Sequence, residues 1–454
     1  MTATRFAREP VTFSPRERLE LLCDPGTFRP LRSAVGDGVL SGRGRVAGRA
    51  VLVWAQDGAH RGGSLGAAGG ETIARTIRAA EESRAPVIGF AHSGGARLQE
   101  GAASLHAYAQ IFHAQSVATV PQITVVCGPC AGGAAYSPAL GDVTIMAGPE
   151  ARMFLTGPKI VAKVTRESVT TRELGGPEVH GRNGVAQLIV DDEQDVPGVV
   201  RDLLAHLPDA AGAPLPLAPP AAPPPESPDH GVPAEHRRVY DVRDVARRLV
   251  DGGALLELAP RWARNLVVGF ARIEGRPIGI VANQPKHLGG TIDAHAADKG
   301  EWFVNLCDRF GVPLLVLVDT PGFLPGTKQE QLGVIRRGAA FLRAFATADV
   351  PRVTVTLRQA YGGAHIVMNC RDLGADLTLA WPDANVGVMG AGQAVEIVHR
   401  RRLEAGEDAG ALTDEYANQH LPVQVAAERG LLDEVIAPGE TRARVADLLE
   451  AMSP

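Results

Sequence analysis

A shift of 227 positions lays the second half of this sequence over the first. Asp24-Pro25-Gly26 falls on Asp251-Gly252-Gly253, Gly48-Arg49 on Gly275-Arg276, Gly62-Gly63 on Gly289-Gly290, and Ala85-Pro86-Val87 on Val312-Pro313-Leu314. With a shift of 230, VPQITV (120–125) falls on VPRVTV (350–355) and Gly132-Gly133 on Gly362-Gly363. An internal repeat constrains a chain more than any local signal, because one layered design must fold twice. Between the copies, residues 214–236 (PLPLAPPAAPPPESPDHGVPAEH) lose all apolar periodicity, and this stretch reads as an extended linker. The expected layout is a first domain over 14–213 and a second over 237–454.

Each copy has the same grammar. Short apolar strands, AVLVWA, PVIGFA and QITVVCG in the first, are each followed by glycines and then a helix-like stretch, which implies an α/β layered domain. In SGGARLQEGAASLHAYAQIF, Leu98, Ala102, Leu105, Ala109 and Phe112 recur at helical spacing, which predicts a helix beginning at Gly94-Gly95 with these residues on its apolar face. Gly132-Gly133 likewise close a strand and open a helix. Backbone N–H groups at a helix start have no partner within the helix, and glycine lets a ligand approach them closely.

Composition removes several function classes. At 454 residues, 45% hydrophobic and with mean hydropathy near zero, the chain has the makeup of a soluble globular protein. A net charge of -5 argues against nucleic acid as the main partner. No apolar run reaches the roughly 18 residues that span a membrane, and MTATRFAREP lacks a signal-peptide core, so the expected location is cytoplasmic. Five cysteines, an odd number, describe no secreted disulfide framework.

Three motifs imitate known active sites, and the repeat serves as a control for two of them. Cys127-Gly-Pro-Cys130 matches a redox tetrapeptide, yet the second copy carries Leu357 and Ala360 there while keeping both glycines. The pair therefore reads as packed and inert. Ala91-His92-Ser93-Gly94-Gly95 imitates a nucleophile elbow, but its counterpart, Val318-Asp319-Thr320-Pro321-Gly322, has no serine. Gly390-Ala391-Gly392-Gln393-Ala394-Val395 resembles a dinucleotide fingerprint, though a charged helical stretch follows where a second strand is needed. No phosphate-binding G-x-x-x-x-G-K-[ST] loop occurs, and histidines and cysteines show no metal spacing.

The runs HSGGARLQEGAASLHAY, VVCGPCAGGAAYSP, MFLTGP, IGIVANQP, DTPGFLPGTKQEQLGVIRRGA, YGGAH, GADLTLAWPDANVGVMGA and AAERGLLDEVI, in this order, resemble the carboxyltransferase (β) subunit of biotin-dependent acyl-CoA carboxylases. The resemblance covers about residues 14–454. It implies two crotonase-like domains of repeated ββα units, and a site between the first domain of one subunit and the second domain of another, in a dimer or larger homo-oligomer such as a hexamer. The implied reaction moves a carboxyl group from carboxybiotin to the α-carbon of an acyl-CoA. It creates two oxyanions, an enolate and the ureido oxygen of biotin, so two sets of backbone donors make chemical sense. By similarity, Gly132 and Gly133 hold the thioester oxyanion and Gly362 and Gly363 the biotin carbonyl. Gly94, Gly95, Ala96 and Arg97, with Tyr361, His365 and Ile366, are the expected binding residues, and no metal is called for. The ureido anion itself removes the α-proton, so no side-chain base is needed.

Absences sharpen this reading. Lysine occurs only at 159, 163, 286, 299 and 328, never between methionines, so biotin is expected on a separate carrier, carboxylated by a partner biotin carboxylase. The zinc-ribbon cysteines of split-type β subunits are missing. Some positions depart from the resemblance: His92 stands where relatives usually have Asp, Glu71-Thr72 replaces a basic residue near the expected CoA phosphates, and His365 and Ile366 follow the second glycine pair. The acyl group therefore stays open. A malonyl-type decarboxylase using the same glycines and a non-catalytic assembly subunit remain as alternatives.

Overall fold

The computed structural model describes residues 13–235 and 238–452. The N-terminal stretch MTATRFAREP and His236, the last residue of the expected linker, lie outside the described residues. The chain divides into two compact units, Met1–Pro214 and Leu215–Pro454.

In the first unit eight strands form one sheet: β1 (Arg29–Leu31), β2 (Val39–Val46), β3 (Arg49–Gln56), β4 (Val87–Ser93), β5 (Gln122–Ala131), β6 (Val143–Ala147), β7 (Arg152–Phe154) and β8 (Leu188–Val190). Their order is β1-β2-β3-β4-β5-β6-β8, with β7 added onto β5. The first three pair antiparallel and the rest parallel. In the second unit eight more follow: β9 (Leu256–Leu258), β10 (Leu266–Ile273), β11 (Arg276–Asn283), β12 (Leu314–Thr320), β13 (Arg352–Tyr361), β14 (Leu377–Ala380), β15 (Asn385–Gly387) and β16 (Glu434–Val435). Order and direction repeat strand for strand, with β15 added onto β13. One α/β design thus folds twice, the layout that the resemblance to two crotonase-like domains implies. The central strands are rich in Val, with Ile or Leu, and buried along nearly their whole length, as parallel strands covered on both faces must be.

Helix α1 (Pro15–Leu22) opens the first unit, and α2 (Ala67–Ser83) and α3 (Ala102–Val117) pack together there. Their contact is close because Gly70 has no side chain: a Cβ there would lie 2.5 Å from Ala107 Cβ. Two sequence expectations for α3 need correction. The helix starts at Ala102, not at Gly94-Gly95, and the face it buries is Ser104, Ala107, Tyr108, Ile111 and Ala114. Leu98 and Leu105, assigned to the core side, are 88% and 63% exposed. The segment is apolar on more than one side, so periodicity alone selects the wrong face.

Among its described residues the proline-rich stretch contains no helix or strand, but it is not a loose tether. It belongs to the second unit, where Ala218 N–H donates to Gly275 O (3.0 Å), Gly252 N–H to Ala222 O (3.0 Å) and the Arg272 guanidinium to Pro216 O (2.8 Å). Gly275 must be glycine: its φ is +75°, and a Cβ would fall 1.9 Å from Ala218 O. No helix among the described residues is long and apolar enough to cross a membrane.

Candidate active site

Both glycine pairs sit where the central strand of a sheet turns into a helix. In the first unit β5 ends at Ala131, and Gly132–Ala135 form a 3-10 turn that runs into α4 (Tyr136–Leu140). In the second, β13 ends at Tyr361 and Gly362–Val367 form α5. Gly132 has φ +60° and Gly362 φ +59°, so the two turns share a left-handed first residue that favours glycine. No side chain caps either helix start, which leaves the first N–H groups available to an anion. Each second glycine has an aromatic ring nearby: a Cβ at Gly133 would lie 3.3 Å from Tyr108, and one at Gly363 3.8 Å from Phe323. Both rings lie within the runs that carry the resemblance, but no spacing ties either to its glycine, since one comes from α3 and the other from the loop after β12.

Cavities flank the second turn. One of about 510 Å³ is lined by Gly362, Gly363 and His365 together with Val388, Tyr416 and His420. Another of about 400 Å³ is lined by Gly363, Ile366 and Phe323. Tyr361 is buried and hydrogen-bonded to Asn385, so it supports the turn from behind. Burial holds the His365 imidazole below its ordinary pKa, with Asp372 opposing.

The residues grouped around 94–97 brace the first turn. Gly95 has φ +97°, a Cβ there would lie 3.0 Å from Ala131 O, and its N–H donates to Ser93 Oγ. Gly95 and Ala96 pair in parallel with Ser64 and Leu65, and Gly94 N–H donates to Gly63 O. Arg97, expected to bind a ligand, is buried and committed to Asp37, to Glu100 at 2.7 Å and to Ser64 O at 2.8 Å. Its charge is used inside the protein. Glu71 is likewise met by Arg32 (3.2 Å) and Arg75 (2.9 Å), so it is not a bare anion.

The imitation motifs resolve on geometry. Ser93 is fully buried, its hydroxyl 3.1 Å from the Tyr108 hydroxyl, with no access for a substrate. Gly390 follows β15 and precedes a helix over Ala391–Val398, after which come further helices instead of the second strand a dinucleotide site needs. Cys127 and Cys130 are buried and unpaired, and burial pushes the Cys127 thiol up to about 12 and the Cys130 thiol higher still. Neither forms a thiolate near neutrality. Cys127→Ala and Cys130→Ser are therefore expected to leave turnover within a few fold of wild type. A loss on the order of 100-fold in a folded variant would contradict this.

His92 fits a slot between two glycines: a Cβ at Gly58 would fall 2.2 Å from the ring, and one at Gly128 2.6 Å. Burial first, then the nearby Arg18 guanidinium, lowers its pKa, with Asp57 opposing. Arg18 is itself held by Glu193 at 2.7 and 3.1 Å. The folded chain thus prefers neutral His92. Its contribution to stability is full above about pH 6.5, the free imidazole value, and is lost as pH falls through the lower folded value. The wild type should lose more thermal stability between pH 7 and pH 5 than His92→Gln. Equal losses would show that His92 does not titrate in this way.

Two sheets of one strand order, each with an uncapped glycine turn at the end of the same interior strand, give the chain a doubled layout. The carboxyl transferase domain family matches residues 12–453, and the chain belongs to that family. It is 45% identical over 477 residues to the propionyl-CoA carboxylase beta chain of Saccharopolyspora erythraea, covering 96% of this chain and 87% of that one. To the methylmalonyl-CoA carboxyltransferase 12S subunit of Propionibacterium freudenreichii subsp. shermanii it is 43% identical over 460 residues, covering 96% and 87%. A solved transcarboxylase 12S structure, described as a hexamer assembly with methylmalonyl-coenzyme A bound, superposes with a TM-score of 0.93 at 41% identity, covering 96% of this chain and 89% of that one. The protein is accordingly a carboxyltransferase of the β-subunit class of biotin-dependent carboxylases.

Proposed function

We propose that this chain moves the carboxyl group of carboxybiotin, held on a separate carrier protein, to the α-carbon of a short acyl-CoA such as acetyl- or propionyl-CoA. The observation that supports it is the repeated turn: two uncapped glycine pairs with first-residue φ of +60° and +59°, one in each unit. In this reading the Gly132-Gly133 N–H groups hold the thioester oxygen as its enolate forms, making residues 14–213 the acyl side. The Gly362-Gly363 N–H groups hold the ureido oxygen, making residues 237–454 the biotin side. Carboxybiotin supplies the carboxyl group and, once carbon dioxide leaves, the base that takes the α-proton.

The residues present fit such a ligand. The 510 Å³ cavity beside Gly362-Gly363 joins apolar walls, including Val386, Val388 and Leu421, to backbone donors, as a fused ring with one polar edge requires. Preorganised donors need no reorganisation during reaction, which is the main contribution this protein makes to rate. The chain works as a cytoplasmic homo-oligomer, at least a dimer and in keeping with the hexamer described for its structural neighbour, alongside a biotin carboxylase and carrier.

The test supplies the purified protein with separately carboxylated biotin carrier and a panel of acyl-CoAs. Carboxylated acyl-CoA should form, ATP with bicarbonate should give nothing, and streptavidin blotting should find no biotin on this chain. Loss of carbon dioxide from malonyl-type thioesters, without any transfer to acyl-CoA, would replace the proposal with a decarboxylase.

A further inference from the structure

In both units the strand leading to the glycine turn bulges at the same place. Ala91 pairs with Val126 and then Ser93 with Cys130, so residue 92 alone faces residues 127–129. Val318 pairs with Thr356 and then Thr320 with Ala360, so residue 319 alone faces residues 357–359. A bulge bends its strand and re-aims the residues beyond it, here Gly132-Gly133 and Gly362-Gly363. It also leaves the ladder locally broken, so something else must hold it. Part of that hold is common to both copies: an amide side chain from the preceding strand takes the lone residue's N–H, Gln56 Oε1 from His92 (3.1 Å) and Asn283 Oδ1 from Asp319 (3.2 Å).

The side chains across the bulge then diverge. In the first unit the His92 ring packs on Gly128, the central bulge residue. In the second unit the corresponding bulge residue is Arg358, whose Nε donates to Asp319 Oδ2 at 2.8 Å. Tyr240 donates its hydroxyl to the same oxygen at 2.8 Å, and its ring lies under the guanidinium at 4.7 Å. The three residues are 4%, 0% and 8% exposed for Arg358, Asp319 and Tyr240. Arg358 also donates to the carbonyls of Arg238 (2.8 Å), Glu235 (3.2 Å) and Pro233 (3.3 Å), which fastens the end of the proline-rich segment to the bulge.

We propose that His92 with Gly128, and Asp319 with Arg358 and Tyr240, are separate positioning devices for the two glycine turns, the first tuning the acyl-thioester side and the second the carboxybiotin side. This rests on the proposed assignment of one turn to each oxyanion. None of these side chains is asked to touch substrate. They act by fixing the bulge from which the donors project, and a donor must lie within about 2.7–3.1 Å of the developing oxyanion to be effective. His92 is then a matched replacement, its ring occupying the space that Gly128 leaves, where the second unit uses an ion pair.

The test measures KM for propionyl-CoA and for carboxylated biotin carrier, and kcat, on the full-length oligomer. Arg358→Lys is expected to raise the carrier KM about tenfold or lower kcat comparably, with the propionyl-CoA KM held within about twofold. Tyr240→Phe keeps the ion pair and should give a smaller shift in the same direction, and it carries the test if Arg358→Lys folds poorly. His92→Ala should do the reverse, raising the propionyl-CoA KM about fivefold and leaving the carrier KM within about twofold. The comparison variant is Arg442→Gln, which breaks ties to Asp251 and Glu274 at the end of β11 away from Asn283, and should lower melting temperature without moving either KM. Arg358 and Tyr240 variants that only lower stability, as Arg442→Gln does, or that shift both KM values alike, overturn the proposal. If Gly363→Val leaves the carrier KM untouched, the assignment of the turns fails instead.

Discussion

Gly363→Val is expected to lower turnover on the order of 100-fold to 1000-fold, the usual cost of losing an oxyanion donor, while the protein stays folded. Folding should survive because the new Cβ meets nothing closer than Phe323 at 3.8 Å, ordinary contact distance, and Gly363 faces cavities of about 510 and 400 Å³. The larger side chain then stands where a ligand oxygen must come to reach the backbone donors. At Gly133 a Cβ lies 3.3 Å from the Tyr108 ring, so Gly133→Ala is the milder first substitution there and Gly133→Val the stronger one. Gly132 and Gly362 are poorer choices, since their positive φ makes any side chain strained before it meets a ligand. Unchanged melting with full turnover in Gly363→Val would remove the second turn from the chemistry.

Lys299→Met is expected to destabilise the second unit by at least about 3 kcal/mol, since each buried carbonyl left without a donor costs about 1–3 kcal/mol. Lys299 is fully buried, and its Nζ donates to Ala259 O (3.0 Å), Trp262 O (2.9 Å) and Leu266 O (2.8 Å). The Nζ group thus closes a loop in which Ala259 (φ +49°) and Ala263 (φ +40°) adopt left-handed backbone without being glycine. Methionine matches the length of lysine and donates nothing, so packing survives while three acceptors are orphaned. Urea unfolding of the two proteins compares them directly. A difference under about 1 kcal/mol would mean that water or a backbone shift satisfies the loop.

The repeat is legible in sequence because it is written in glycines and prolines, and those residues mark turns whose backbone conformation few others adopt. Gly48 and Gly275 both follow a left-handed residue at a hairpin tip, and Gly132 and Gly362 share one φ. The face of α3 is not legible, because Leu105 is as apolar as Ile111, and nothing local tells which side is buried. Composition gives the irregular backbone of the proline-rich stretch but not its attachment, which depends on Gly275, Arg272 and Arg358 far along the chain. The ion pair at Asp319 escapes sequence reading for the same reason. Its partners lie 39 and 79 residues away, and the repeat hides it by placing histidine and glycine at the matching positions of the first copy.

The central claim is that each glycine turn serves one of two oxyanions, and crossed kinetics test it most directly. Transfer of a labelled carboxyl group from carboxylated biotin carrier to propionyl-CoA is measured for Gly133→Ala and Gly363→Val, varying one substrate at a time with the other saturating. The account predicts that Gly133→Ala raises the propionyl-CoA KM and spares the carrier KM, while Gly363→Val raises the carrier KM and spares that of propionyl-CoA. Two variants that shift the same KM, or a pattern opposite to this one, would contradict it.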